Sequence, residues 1–232
     1  MDVKPIPGLE HLPYAEVWFH EVDDSVFREA SDAAREIGKT GLEVWTTDKT
    51  PAVVAFLEPR GYEEVRRYVI SELDVARGPA PEPPLHELTT LAARPDLAEQ
   101  LYAIALEAYP DQPGRSDSVI SAYEGWRGWS IEPHPAEAFV IAVEGGAPVG
   151  YGYLEVEGDK GTHGFMAVAR DARGRGVATS LKRAQIAWAK ANGLATLRTA
   201  TETRLTQMRA LNTRYGYRPL YEEIVLRGPA GV

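Results

Sequence analysis

Apolar positions along the second half of the chain change period several times, and each change marks an element. His86 to Ala93 reads as a short strand. Arg94-Pro95-Asp96 opens a helix, with proline in the first turn where its missing N–H is tolerated. Leu97, Leu101, Ile104, Ala105 and Ala108 follow at helical spacing until Tyr109-Pro110. Asp111 to Pro135 shows no clear period and predicts a loop-rich segment holding Trp126, Trp129 and His134. Phe139–Val143 and Pro148–Val156, joined by Glu144-Gly145-Gly146, read as a hairpin, and Thr162–Val168 as a third strand. Val177, Leu181, Ala184, Trp188 and Ala191 form one stripe of an amphipathic helix stopped by Asn192-Gly193. Ala195–Thr201 then predicts a strand, Leu205–Tyr215 a helix and Tyr217–Arg227 a final strand.

Four prolines within Arg77–Pro84 forbid a continuing helix and mark residues 79–85 as a linker. Residues 1–78 and 86–232 are thereby set apart. The first piece repeats the order of the second piece's latter half, as strand, helix, strand, helix and strand. Lys39-Thr40-Gly41-Leu42-Glu43-Val44 parallels Ala191-Asn192-Gly193-Leu194-Ala195-Thr196 at an offset of 152. Arg60-Gly61-Tyr62 parallels Tyr215-Gly216-Tyr217 at 155, and an Ala-rich helix with Ala30, Ala33, Ala34 and Ile37 precedes the first copy's glycine. Too few residues precede that helix for a whole domain. The piece is expected to be half a unit whose exposed sheet is covered by the C-terminal domain or by a second subunit, as in a homodimer.

Composition narrows the function. The chain has 232 residues, 44% hydrophobic and 25% charged, which excludes a mainly disordered protein. No apolar run approaches the roughly 18–20 residues that span a bilayer, and the start lacks a secretory pattern, so a cytoplasmic protein without a membrane partner is expected. Without cysteine there is no disulfide framework, thiolate metal site or thiol nucleophile. A net charge of −9 argues against a nucleic-acid partner. Yet Arg170–Arg218 holds eleven Lys or Arg against only Asp171 and Glu202, a local balance of +9 in an acidic protein. That contrast suggests a small anion gripped locally, with the acidic remainder suiting a cationic partner.

The anion site is legible in Met166-Ala167-Val168-Ala169-Arg170-Asp171-Ala172-Arg173-Gly174-Arg175-Gly176-Val177-Ala178. A strand passes through two glycines directly into a helix, whose first N–H groups lack helical partners and carry partial positive charge. Glycines let a ligand approach that backbone, and Arg173 and Arg175 add cations beside it. This chemistry suits a pyrophosphate. The spacing is neither a P-loop nor Gly-x-Gly-x-x-Gly, since Thr179 stands at the third glycine. It fits Arg/Gln-x-x-Gly-x-Gly/Ala, as Arg173-x-x-Gly176-x-Ala178.

In this motif the chain resembles the GNAT acyltransferase superfamily, over about His86 to Gly228 and weakly over Ser25 to Leu73. A downstream pattern of one branch of that superfamily is matched at Thr199, Met208, Asn212, Gly216 and Tyr217, while Thr201, Leu205 and Tyr215 depart from it. The resemblance implies an α/β fold with a mixed sheet and acetyl-CoA as cosubstrate. Its pyrophosphate would lie at Arg173, Gly174, Arg175, Gly176, Val177, Ala178 and Thr179, and Asn212 would contribute from the later helix. Its pantetheine would pair with the backbone of Met166, Ala167 and Val168, where two strands splay apart. The acceptor would be a primary amine on a small molecule or peptide.

Amine acylation needs a neutral amine and a stabilised thiolate. The position that bears the family's Glu base falls on Thr162, and that of its acid Tyr falls on Asn212. Candidate substitutes are His163 and Glu155 as base and Tyr215 as acid, and positioning of a neutral amine is another route. Tyr123, Trp126 and Trp129 could cover an acceptor or fill core space. His134 and Glu132 lack further ligands for a metal, and Ser116, Ser118 and Ser121 lack a nucleophile elbow. The missing Glu and Tyr leave a non-catalytic acyl-CoA-binding module as the competing reading.

Overall fold

A computed structural model describes residues 1–80, 82–112 and 119–231. The strands are β1 (Lys4–Pro5), β2 (Tyr14–Trp18), β3 (Gly41–Thr47), β4 (Glu63–Asp74), β5 (Glu87–Thr90), β6 (Val140–Glu144), β7 (Ala147–Glu157), β8 (Lys160–Val168), β9 (Thr196–Glu202) and β10 (Arg218–Pro229). The helices are α1 (Asp24–Glu36), α2 (Pro51–Leu57), α3 (Ala98–Ala108), α4 (Tyr123–Ser130), α5 (Val177–Ala191) and α6 (Thr206–Arg214). The strands form one mixed sheet in the order β1-β2-β3-β10-β4-β9-β8-β7-β6-β5.

That order exchanges strands between the two pieces. The last strand of the second piece, β10, lies between β3 and β4 of the first, and β4 in turn lies between β10 and β9. The free edge of β3 expected from the sequence is therefore occupied within the chain, where Trp45 faces Val225 and Gly41 faces Pro229. Within residues 79–85, expected to be a linker, Glu82, Pro83 and Leu85 lie against α5: Arg183 donates to Pro83 O at 2.9 Å and pairs with Glu82, and Ser180 Oγ accepts from Leu85 N.

Strand alternation sorts the helices. Leu42, Val44, Ile224 and Leu226 pack on α1 and α2, and Val140, Ala142, Met166 and Val168 pack on α5, all on one face. The opposite face carries α3 and α4, where Trp126 packs with Phe139, Tyr151 and Tyr153. The helix α4 lies inside the segment expected to be loop-rich. Gly125 and Gly128 lower its intrinsic helicity, and burial of Trp126 and Ser130 fixes it. The α5 stripe also differs, because Ser180, Lys182, Gln185, Ile186 and Ala189 are buried alongside Val177 and Leu181.

At the exchange, Glu43 is fully buried and bonds Arg66 and Arg227, at 2.7 Å to the latter. A buried carboxylate is tolerated only with such partners. Glu43→Leu removes the carboxylate that both guanidinium groups share and should cost about 3–5 kcal/mol in urea unfolding. A cost below about 1 kcal/mol would refute this role.

Candidate functional site

Backbone geometry makes the site. β8 and β9 run parallel and pair only at Lys160–Thr162 with Thr196–Arg198. Beyond that rung β9 stays bonded to β4 along its whole length, from Thr196 opposite Asp74 to Glu202 opposite Tyr68. β8 instead bulges at Gly164 and Phe165, which together stand opposite Tyr153 of β7, so one extra residue shifts its register. Gly164 is required there, since a Cβ would lie 2.0 Å from Tyr153 Cε2. The strands part, and a cleft of about 800 Å³ opens between them. Phe165, Met166 and Val168 of β8 form one wall, and Thr206, Met208 and Leu211 of α6 the other.

The expected pyrophosphate loop forms the end of this cleft. Gly174 (φ +74°) and Gly176 (φ +85°) adopt the left-handed conformation that side chains disfavour. Gly176 is the N-cap of α5; among the described residues no side chain caps this helix start, and no acidic residue lies in its first turn. Arg173, Gly174, Gly176, Val177, Ala178 and Thr179 all line the cleft. Arg173 also braces the loop, donating to Val168 O at 3.1 Å and pairing with Asp111 at 2.6 Å. That hydrogen bond holds the Asp111 carboxyl below its usual range.

Several expected residues lie elsewhere. Arg175 is turned to Glu144 at 3.0 Å and does not line the cleft. Ala169 N donates to Val149 O, so ladder alternation directs the Ala167 backbone toward β7 and those of Met166 and Val168 toward the opening. Ala167 is thus removed from the pantetheine contacts. Asn212 is buried behind the cleft, donating to Thr201 Oγ1 at 2.9 Å. This bond ties α6 to β9 through one of the positions where the family pattern has asparagine.

Tyr215 is corrected as acid candidate: its buried hydroxyl accepts from Arg183 Nε at 2.7 Å, beside Pro79 and Ala80 and outside the cleft. Glu155 is exposed on β7 opposite Thr162, on the α4 face, and also lies outside the cleft lining. His163 stands at the first β8 position past the β9 pairing, but both ring nitrogens are engaged, Nδ1 with Gln185 Oε1 at 2.9 Å and Nε2 with the Tyr217 hydroxyl. Burial, reinforced by Lys182, holds its imidazole well below the usual value. Trp126 is core, while Trp129 is exposed beside Tyr109 and bonds Ser121. His134 stacks on Tyr153 at 4.2 Å. Ser116 and Ser118 lie outside the described residues. Among the described residues no acidic or histidine cluster could hold a metal ion, and no helix is long and apolar enough to cross a membrane.

The sequence did not single out Lys182, Gln185 or the Tyr217 hydroxyl, which with His163 form a polar patch inside the α5 side of the sheet. Lys182 is 1% exposed, with its ammonium 5.0 Å from the Tyr217 ring centroid. Polar letters on an amphipathic helix read as solvent-facing, so only packing identifies them.

The geometry agrees with the comparisons. The acetyltransferase (GNAT) family matches residues 98–217, just over half of the chain. The chain belongs to the GNAT acetyltransferase family. Among solved structures, a GCN5-related N-acetyltransferase from Sphaerobacter thermophilus has a TM-score of 0.73 and 20% identity, covering 100% of this chain and 76% of that one. A tandem GNAT protein from the clavulanic acid biosynthesis pathway has a TM-score of 0.68 and 19% identity, covering 95% and 76%. A GCN5-related N-acetyltransferase from Kribbella flavida has 0.63 and 17%, covering 98% and 84%. These likenesses are of fold. No curated protein matches.

Burial pushes the Lys182 ammonium down to about 7 from 10.5. Between those values the unfolded chain binds a proton that the folded chain lacks, so stability should rise with pH. Chemical unfolding should gain up to about 2–3 kcal/mol from pH 7 to pH 9, at about 1.4 kcal/mol per unit. Lys182→Met should raise stability at pH 7 and abolish that gain. An unchanged slope in the variant would show that Lys182 is not its source.

Proposed function

We propose that this chain is an acetyl-CoA-dependent N-acetyltransferase acting on a primary amine of a small molecule or peptide. The observation that carries the reading is the uncapped start of α5 at one end of the opened cleft. The amides around Gly174 and Gly176 and those of Val177–Thr179 fit a pyrophosphate, with Arg173 close by. The backbone of Met166 and the Val168 N–H lie on the stretch of β8 that β9 does not pair, an edge that fits the amides of a pantetheine arm. When bound, acetyl-CoA supplies the activated acyl group as a thioester. Asp111 is the one carboxylate among the described cleft-lining residues, and it is committed to Arg173. Catalysis therefore rests chiefly on holding an already neutral amine against the acyl carbon.

We also infer that the first piece is a degenerate copy of the second. The 155-residue offset relates Tyr68 to Glu223, and these residues face each other in the β4–β10 ladder, as expected if a two-fold axis between copies passed there. The first copy's counterpart site is filled. β2 pairs with β3 along its full length, and Asp23 caps α1, accepting from Ser25 N and Val26 N at 2.9 Å. One cofactor per chain follows.

Isothermal titration should give one acetyl-CoA per chain. Gly176→Val, which places a side chain at φ +85° and within 3.1 Å of Leu85, should weaken binding at least tenfold while the fold survives. Absence of binding at millimolar ligand would overturn the cofactor reading. Binding without thiol release across an amine library would favour the acyl-CoA-binding module.

A further inference from the structure

The sheet face shared with α3 and α4 continues past β9 onto β4, β10, β3 and β2. Four carboxylates on that face have cationic partners: Glu16 with Lys4, Glu43 with Arg66 and Arg227, Glu72 with Arg198, and Glu202 with Arg204. Glu223 has none. It stands on β10 at the centre of this face, directly opposite Tyr68 on β4 and Thr47 on β3. Its carboxyl is partly buried, and burial alone raises its pKa.

Around it lies an aromatic floor. Trp18 stacks on Trp45 with ring centroids 5.4 Å apart, and Trp45 reaches over β10 to stack on Tyr68 at 5.5 Å. Trp18 is 40% exposed, so the floor opens to solvent at β2. On the other side, Tyr221 senses the charges of both Glu223 and Arg198. Arg198 belongs to the last rung before β8 and β9 part. That side of the floor thus ends at the rung where β8 and β9 part.

An uncompensated carboxylate beside π faces attracts one kind of ligand. A cation gains both the charge of Glu223 and the negative faces of the rings, whereas an anion is repelled and a neutral group gains little. We propose that Glu223, with Tyr68 and Trp45, holds a second, permanently charged ammonium group of the acceptor, so that the acceptor is a diamine or longer polycation. This rests on the acyltransferase reading above. The two charges have different duties: the reacting amine must become neutral near the cleft, while the anchored one keeps its proton. The anchor and the opening are on the order of 15 Å apart, from strand spacing and rise, which favours an extended acceptor over an amino acid.

The test uses the full chain with spermine and spermidine as probes and uncharged 1,5-pentanediol as control. The indole N–H resonances of Trp18 and Trp45 report binding. Both amines should shift them saturably, and the diol should not. Glu223→Gln should raise the amine Kd at least tenfold, and Glu223→Asp should restore part of the affinity. Acetyl-CoA affinity should stay within twofold in both variants. Lack of a saturable shift, or equal Kd in wild type and Glu223→Gln, overturns the proposal even where acetyl-CoA binds. A chain that binds the amines but not acetyl-CoA retains the cation site and loses the acyltransferase reading instead.

Discussion

The unequal pairing of the two edges of β9 governs this molecule. One edge is bonded to β4 along the whole strand, while the other keeps β8 for only three residues. Each edge carries its own ladder, and the bulge at Gly164 and Phe165 ends the one to β8 while the antiparallel one to β4 runs on. The β8 edge beyond Thr162 is left with backbone groups that need partners, and water or a peptide-like ligand can supply them. The first piece therefore has a structural part in the site without contributing a residue to the described cleft lining: its β4 anchors the far edge of β9.

On the duplication proposed above, the two halves would give one topological position two outcomes, a site and a closed junction. In each, a strand parallel to its neighbour runs into a helix. At α1 a carboxylate from Asp23 takes the first amides and neutralises the positive end of the helix dipole. At α5 the corresponding position is Gly176, which has no side chain to offer, and arginines surround it. An anion gains nothing at the first start and is favoured at the second. Stability is better served by Asp23, and binding by Gly176.

What the sequence disclosed follows from the range of each signal. The α5 start, the β6–β7 hairpin and the glycine loop depend on local letters, and each was legible. Strand exchange was not, because alternation fixes which face a residue occupies and says nothing about which strand lies beside it. Tyr215 and Tyr217 show the limit at the scale of one side chain. Both are buried tyrosines flanking Gly216, yet one hydroxyl meets Arg183 outside the cleft and the other meets His163 beneath the strand opening. Buried charges such as Glu43, Arg66 and Lys182 were equally hidden, since their letters resemble those of a solvated surface.

Amide resonances followed during titration with acetyl-CoA test the central claim most directly. The account predicts that amides of Gly174–Thr179 and of Met166 and Val168 shift and become protected from exchange, while Ser25 and Val26 at the α1 start do not respond. If the α5 amides stay unchanged at saturation, or the α1 amides respond equally, the cofactor lies elsewhere and the account is wrong.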